Sequence, residues 1–225
     1  MTDHHLDNHS ISNIIMEDIV NDIILGELKP GDKLIEAKYA EKFGVSRAPI
    51  REAFNTLAIE GIIIKIPRKE SVVKGYTDEE IWDLVRIRKF LTDLALERLE
   101  KSNQISELVR DLKEIERKME KNNSSREYVK LNQEFNMRII REAKSDVLIA
   151  MYSRIARLLL SLSLVTLLEN ENNGNPYTNH NLIIQKLEKE DFVGAQKVLN
   201  DRNESFMKNI KIHLLKKKNE VQQQC

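Results

Sequence analysis

The sequence predicts a mainly α-helical protein with one small β-ribbon near its N-terminus, and three observations carry that expectation. Apolar residues recur at the helical period along most of the chain. Two short β-branched runs, Ile62-Ile63-Ile64-Lys65-Ile66 and Ser71-Val72-Val73, read as strands, and no clear strand pattern follows residue 76. Glycine and proline are scarce, at seven and four in 225 residues, while charged residues reach 32%, a balance that suits helices.

A chain of 225 residues can bury a core without metal or disulfide staples. The single cysteine, Cys225, rules out an intramolecular disulfide and points to a reducing, cytoplasmic setting. Residues 1–10 are polar and read as a flexible leader rather than a signal peptide, with His4 and His5 part of it rather than metal ligands. The longest apolar stretch, residues 158–168, is interrupted by Ser161, Ser163 and Thr166 and reads as a buried helix, so no membrane span is expected.

Net charge is zero, yet its distribution is uneven. Residues 1–36 hold eight acidic and two basic side chains, whereas residues 37–74 hold eight basic and four acidic ones. A basic excess confined to one segment is the electrostatic footprint that phosphate contact requires.

Residues 11–76 form the first expected domain. Ile14, Ile15, Ile19, Val20, Ile23 and Ile24 recur at helical spacing, and Gly26 and Pro30-Gly31 stop that helix. A second helix is expected from about Ile35 to Phe43, ended by Gly44, with Val45 packing inward. Ser46 then caps a third helix from about Arg47 to Glu60, whose apolar stripe is Ile50, Phe54 and Leu57. Helix-Gly-Val-Ser-helix is the turn of a helix-turn-helix. It places Ser46, Arg47, Ala48 and Arg51 at the N-terminal end or outer side of the third helix, where base edges and phosphate are read. The two strands, joined by Arg68-Lys69-Glu70, make a cationic-tipped wing. The fold class is therefore an N-terminal winged helix-turn-helix with a small β-ribbon wing, followed by a C-terminal antiparallel helical bundle.

The stretches Gly26-Glu27-Leu28-Lys29-Pro30-Gly31-Asp32-Lys33-Leu34, Gly44-Val45-Ser46-Arg47-Ala48-Pro49-Ile50-Arg51-Glu52-Ala53-Phe54 and Leu57-Ala58-Ile59-Glu60-Gly61 resemble the GntR family of winged-helix regulators. The resemblance implies DNA contact from Arg47 and Arg51 on the recognition helix, with Ser46 touching phosphate. Ala48, Pro49 and the wing residues Arg68 and Lys69 complete the expected DNA-binding set. The wing departs from the family in carrying Glu70 where a glycine is usual at the tip.

Residues 77–225 read as successive helices, roughly 79–101, 104–121, 125–143, 145–169, 178–189 and 191–218. Leu84, Ile87, Leu91, Leu94 and Ala95 are expected in the core, as are Leu158, Leu162 and Val165. Arg88-Lys89-Phe90-Leu91, Asn132-Gln133-Glu134-Phe135-Asn136, and His180 followed by Asp191 and Ala195 resemble the ligand-binding domain of the FadR-type branch of the family. Many members of that branch hold a divalent metal on an Asp and a His four residues apart plus two later histidines. Here Asn132, Asn136 and Arg202 stand at three of those four places and only His180 matches, so no metal and no cofactor is expected. Asn132, Asn136, His180, Arg88 and Arg202 are instead expected to bind a small anionic metabolite, because arginine forks suit carboxylate or phosphate.

These readings predict a cytoplasmic homodimer that binds double-stranded operator DNA as a transcription regulator, a metabolite-responsive repressor by resemblance. No phosphate loop, Gly-x-Ser-x-Gly or His-Glu-x-x-His motif is present, so no enzyme is expected. The alternatives are an enzyme using His180 with Glu134 on the bound metabolite, and a helical protein-interaction module.

Overall fold

The computed structural model describes residues 3–24, 26–67, 70–101, 105–121, 124–159, 162 and 178–223. It divides into two compact units, residues 1–76 and 77–225.

In the first unit, helix α1 (Asp3–Ile24) begins inside the expected leader, since no glycine or proline interrupts residues 3–24. Strand β1 (Lys33–Leu34), α2 (Glu36–Phe43), α3 (Arg47–Glu60), β2 (Ile63–Lys65) and β3 (Ser71–Val73) follow. The sheet is antiparallel in the order β1-β3-β2, with Leu34 opposite Ser71 and Ile64 opposite Val72. The expected two-stranded ribbon thus gains a third strand. A two-residue strand is too short to show alternation, which is why β1 left no pattern in the sequence.

Glycine is required at the ends of both helices of the turn. Gly44 closes α2 at φ 64° and Gly61 closes α3 at φ 84°, left-handed conformations that a Cβ disfavours. At Gly61 the amide bonds Ala58 O and the following Ile62 amide bonds Leu57 O, while its own carbonyl accepts from the Tyr76 hydroxyl at 2.6 Å.

Ile15 and Ile19 from α1, Leu34 from β1, Ile50, Phe54 and Leu57 from α3 and Ile63 from β2 are buried. Tyr39 of α2 packs edge-on against Phe54 with ring centroids 5.6 Å apart. Full burial of a side chain the size of Phe54 contributes about 1.5–3 kcal/mol. Ile14, expected among the apolar stripe, is 55% exposed, because adjacent Ile15 takes the inward position on α1. Pro49 is buried and Val45 half-buried.

In the second unit, α4 (Asp78–Glu100) starts with a complete capping box, in which the Glu80 amide donates to Thr77 Oγ1 and the Thr77 amide to Glu80 Oε2. Then come α5 (Ile105–Glu120), α6 (Ser125–Glu142), α7 (Asp146–Leu158), α8 (Thr178–Glu188) and α9 (Phe192–Gln223). The expected helix over 145–169 stops at Leu158, with Leu159 as its C-cap and no glycine or proline to signal the end. Val165 and the stretch between the expected helices 145–169 and 178–189 lie outside the described residues.

Packing runs α4 to α9, α9 to α8, α8 to α5, α5 to α6 and α6 back to α4, with α7 against both α4 and α6. Leu96, Leu99, Leu112, Phe135, Ile183 and Leu199 are among the buried side chains within it. The expected core stripe of α4 is corrected here. Ile81, Val85, Thr92, Ala95, Leu96 and Leu99 are buried, whereas Ile87 and Leu94 are 46% and 42% exposed. Helix α4 carries apolar residues on two faces, and spacing alone did not tell which one packs inward.

Candidate functional site

Ser46 sits at the N-cap of α3 in extended conformation, but its side chain makes no capping hydrogen bond. The expected hydroxyl cap is therefore absent, although the boundary falls where it was expected. No acidic residue occupies the first turn of α3, so the positive end of the helix dipole is uncompensated within the helix.

Arg47, Ala48, Arg51 and Asn55 are exposed, and Arg47, Arg51 and Asn55 follow one another at four-residue spacing on one face. The opposite face is locked into the unit by Ile50, Phe54 and Leu57. Pro49 is a correction: buried, it turns toward protein and shapes the first turn of α3 rather than meeting solvent. Arg51 Nε donates to Glu36 Oε2 at 2.8 Å. Arg47 has no partner among the described residues. Lys65 on β2 donates to Asn55 Oδ1 at 2.6 Å, joining the wing strand to the outer face of α3. Asn55 and Glu36 were missed in the sequence reading, and the four-residue step from Arg51 was the available signal for Asn55. Arg68 and Lys69 lie outside the described residues.

A second polar cluster lies within the bundle. Asn132 Oδ1 on α6 accepts from Arg202 Nη2 on α9 at 2.6 Å and lies 2.9 Å from His180 Nε2 on α8. Arg202 Nη2 is also 3.0 Å from His180 Nε2. His180 is 1% exposed and flanked edge-on by the rings of Phe135 and Tyr128. Burial, with the Arg202 charge second, holds its imidazole well below the ordinary histidine value, so the ring is neutral near pH 7. Nε2 either donates to Asn132 or accepts from Arg202, which sets the tautomer. In both cases buried Nδ1 has no hydrogen-bond partner among the described residues, and neither does Arg202 Nη1.

Arg88 on α4 donates from Nη2 to Asn203 Oδ1 at 2.8 Å and lies over the Phe206 ring, 4.5 Å from its centroid. Burial lowers the pKa of both Arg88 and Arg202. Burial raises the Tyr152 hydroxyl, which feels the opposing pull of both guanidiniums and of a hydrogen bond with Thr92. Of the five expected ligand residues, Asn132, His180 and Arg202 meet directly, and Arg88 joins them through the residue after Arg202. Asn136 does not: its amide donates to its own helix at Asn132 O, 2.8 Å away. Helical spacing put the two amides on one side, but the shorter side-chain-to-backbone bond claims Asn136. Glu134 is exposed while His180 is buried, so the acid-base pair of the enzyme alternative does not form. Asn203, through its bond to Arg88, and Tyr152, through the pull of both guanidiniums, belong to the cluster as well, and no motif in the sequence marks either.

The donor set does not fit the divalent metal that the resemblance implies for related proteins. Between Asn132 Oδ1 and His180 Nε2 sits a guanidinium nitrogen in contact with both, and the remaining neighbours are amides and rings. Among the described residues no group of three or more His, Cys, Asp or Glu is placed to hold an ion.

The family described as "Bacterial regulatory proteins, gntR family" matches residues 11–73, and the FCD domain matches residues 83–202. The chain belongs to the GntR family. Its branch is the one whose second domain is the helical FCD domain. The gluconate operon transcriptional repressor of Bacillus licheniformis is 43% identical over 93 residues, covering 41% of this chain and 37% of that repressor. Two solved structures share the fold. McbR/YncC of E. coli aligns over 92% of this chain and 98% of its own at 23% identity and a TM-score of 0.67. A GntR regulator from Rhodococcus sp. RHA1 aligns over 89% and 97% at 17% identity and a TM-score of 0.74. Among the described residues, no helix is long and apolar enough to cross a membrane.

Proposed function

We propose that the protein is a cytoplasmic, sequence-specific DNA-binding transcription regulator, a repressor released by a small anionic metabolite, acting as a homodimer and not as an enzyme. One observation carries the reading. Helix α3 presents Arg47, Arg51 and Asn55 outward from a positive, uncompensated N-terminus while its inner face is fully packed. Such a helix fits the major groove, with arginine forks suited to guanine edges.

Self-association is supported by the unburied apolar face of α4, where Ile87, Phe90 and Leu94 are exposed at helical spacing. On α7, which packs on α4, Val147 and Met151 are exposed too. A homodimer would place two recognition helices on two half-sites of a palindrome. Release requires a ligand that binds one arrangement of the dimer better than another. The Bacillus licheniformis relative is a repressor, which supports the sign of regulation.

The test is binding of the full chain to its own upstream DNA across a salt series, with Arg47→Ala alongside. Tight, salt-dependent, sequence-selective binding that Arg47→Ala weakens is the expected result. Equal affinity for upstream and unrelated DNA, or no binding at all, would overturn the reading.

A further inference from the structure

We propose that the cluster within the bundle is a receptor for a dianion, a dicarboxylate or a phosphate monoester, held between Arg88 and Arg202. This rests on reading the second unit as an anion sensor, and it specifies the charge of what is sensed.

Neither guanidinium has a carboxylate partner among the described residues. Arg88 spends Nη2 on the Asn203 amide and its face on the Phe206 ring. Arg202 spends Nη2 on the Asn132 amide and the His180 imidazole. These partners are all neutral, including His180, whose ring burial keeps uncharged. Asp83 and Asp93 lie five residues either side of Arg88 on α4; Asp83 is exposed and Asp93 pairs with Lys89 at 2.6 Å. Two positive charges therefore share one partly buried neighbourhood with no carboxylate bonded to either among the described residues.

The charges are gathered rather than scattered. Asn203, which holds Arg88, directly follows Arg202, and Phe206 under Arg88 is one turn further along α9. Unpaired buried cations are costly, and a single carboxylate would neutralise one and leave the other. A ligand with two negative charges balances both. The cluster's spare capacity is also of the right kind. Arg202 Nη1 is a buried donor with no partner among the described residues, and guanidinium forks take the paired oxygens of carboxylate or phosphate. The rings of Phe135 and Tyr128 around His180 lower the local polarity and so strengthen such pairing.

The experiment titrates the full chain calorimetrically with acetate and benzoate as monoanions, and with malonate, succinate and inorganic phosphate as dianions. Mildly alkaline buffer keeps phosphate dianionic, and a chelator is present throughout. The expected result is a dianion binding at least about tenfold tighter than either monoanion. The malonate and succinate arms against the phosphate arm tell which dianion class is preferred. Arg88→Gln should erase the preference while retaining monoanion binding, and Arg88→Lys, which keeps the charge, should retain much of it. Circular dichroism confirms that both variants fold. Monoanions binding as tightly as dianions would overturn the dianion assignment and leave the anion-sensor reading standing. No binding of any anion by the wild-type protein would overturn both.

Discussion

Arg51 is held by Glu36 through its Nε, at 2.8 Å, which leaves both terminal nitrogens of the guanidinium without partners among the described residues. Those two nitrogens form a fork of the kind that suits a guanine edge. The pair is substantially exposed, 60% at Arg51 and 29% at Glu36, so solvent screens it and its value for stability is small. Its effect is on aim.

Glu36→Gln should therefore loosen Arg51 without unfolding the unit. Discrimination between upstream and unrelated DNA should fall by about tenfold, the scale of one misplaced bidentate contact. Competition binding measures this, and unchanged discrimination would show that Glu36 does not position the fork.

Phe54→Ala should destabilise the first unit by about 3–5 kcal/mol, because Phe54 is fully buried and meets Tyr39 edge-on. Urea unfolding of the purified variant reports the change. A loss under about 1 kcal/mol would mean that the site collapses around the missing ring.

His180 should make stability depend on pH. Its folded pKa lies well below the ordinary 6.5, so the unfolded chain takes up the proton more readily. The contribution is complete above about 6.5 and declines as the pH falls from there toward the folded value. The stability difference between the wild type and His180→Gln, measured by melts across that range, should shrink as the solution is acidified. A pH-independent difference would contradict a neutral, desolvated ring.

Arg88→Met should not weaken the protein in the absence of ligand. It removes one of two unbalanced charges and leaves a thioether against Phe206. The expected melting midpoint is equal to or a few degrees above the wild type, on the order of 1 kcal/mol. A clear drop would mean that the Asn203 bond matters more to folding than the charge costs.

Much of the fold was legible because helical periodicity and the Gly44-Val45-Ser46 turn are local signals. Strand β1 was not, since two residues carry no period and its pairing partner lies far along the chain. Burial on α4 was not, since Ile87 and Leu94 have the same chemistry as Ile81 and Leu96 and only neighbouring helices distinguish them. In the candidate ligand site, Asn132, His180 and Arg202 come from three helices, and no spacing rule joins residues that far apart. The resemblance to a helical ligand-binding domain suggested grouping them. Asn136 shows the limit of that approach, because a bond inside its own helix turn outcompetes the shared site.

The Tyr76 hydroxyl fastened to the Gly61 carbonyl has a mechanical meaning. Tyr76 closes the first unit, and Thr77 is already the cap of α4, the helix that carries Arg88. The last residue of the first unit thus holds the glycine that ends α3, so that end of α3 is tied to its own unit by a side chain as well as by the backbone. Tyr76→Phe would take that donor from the Gly61 carbonyl and leave the left-handed turn after α3 to its backbone bonds and packing.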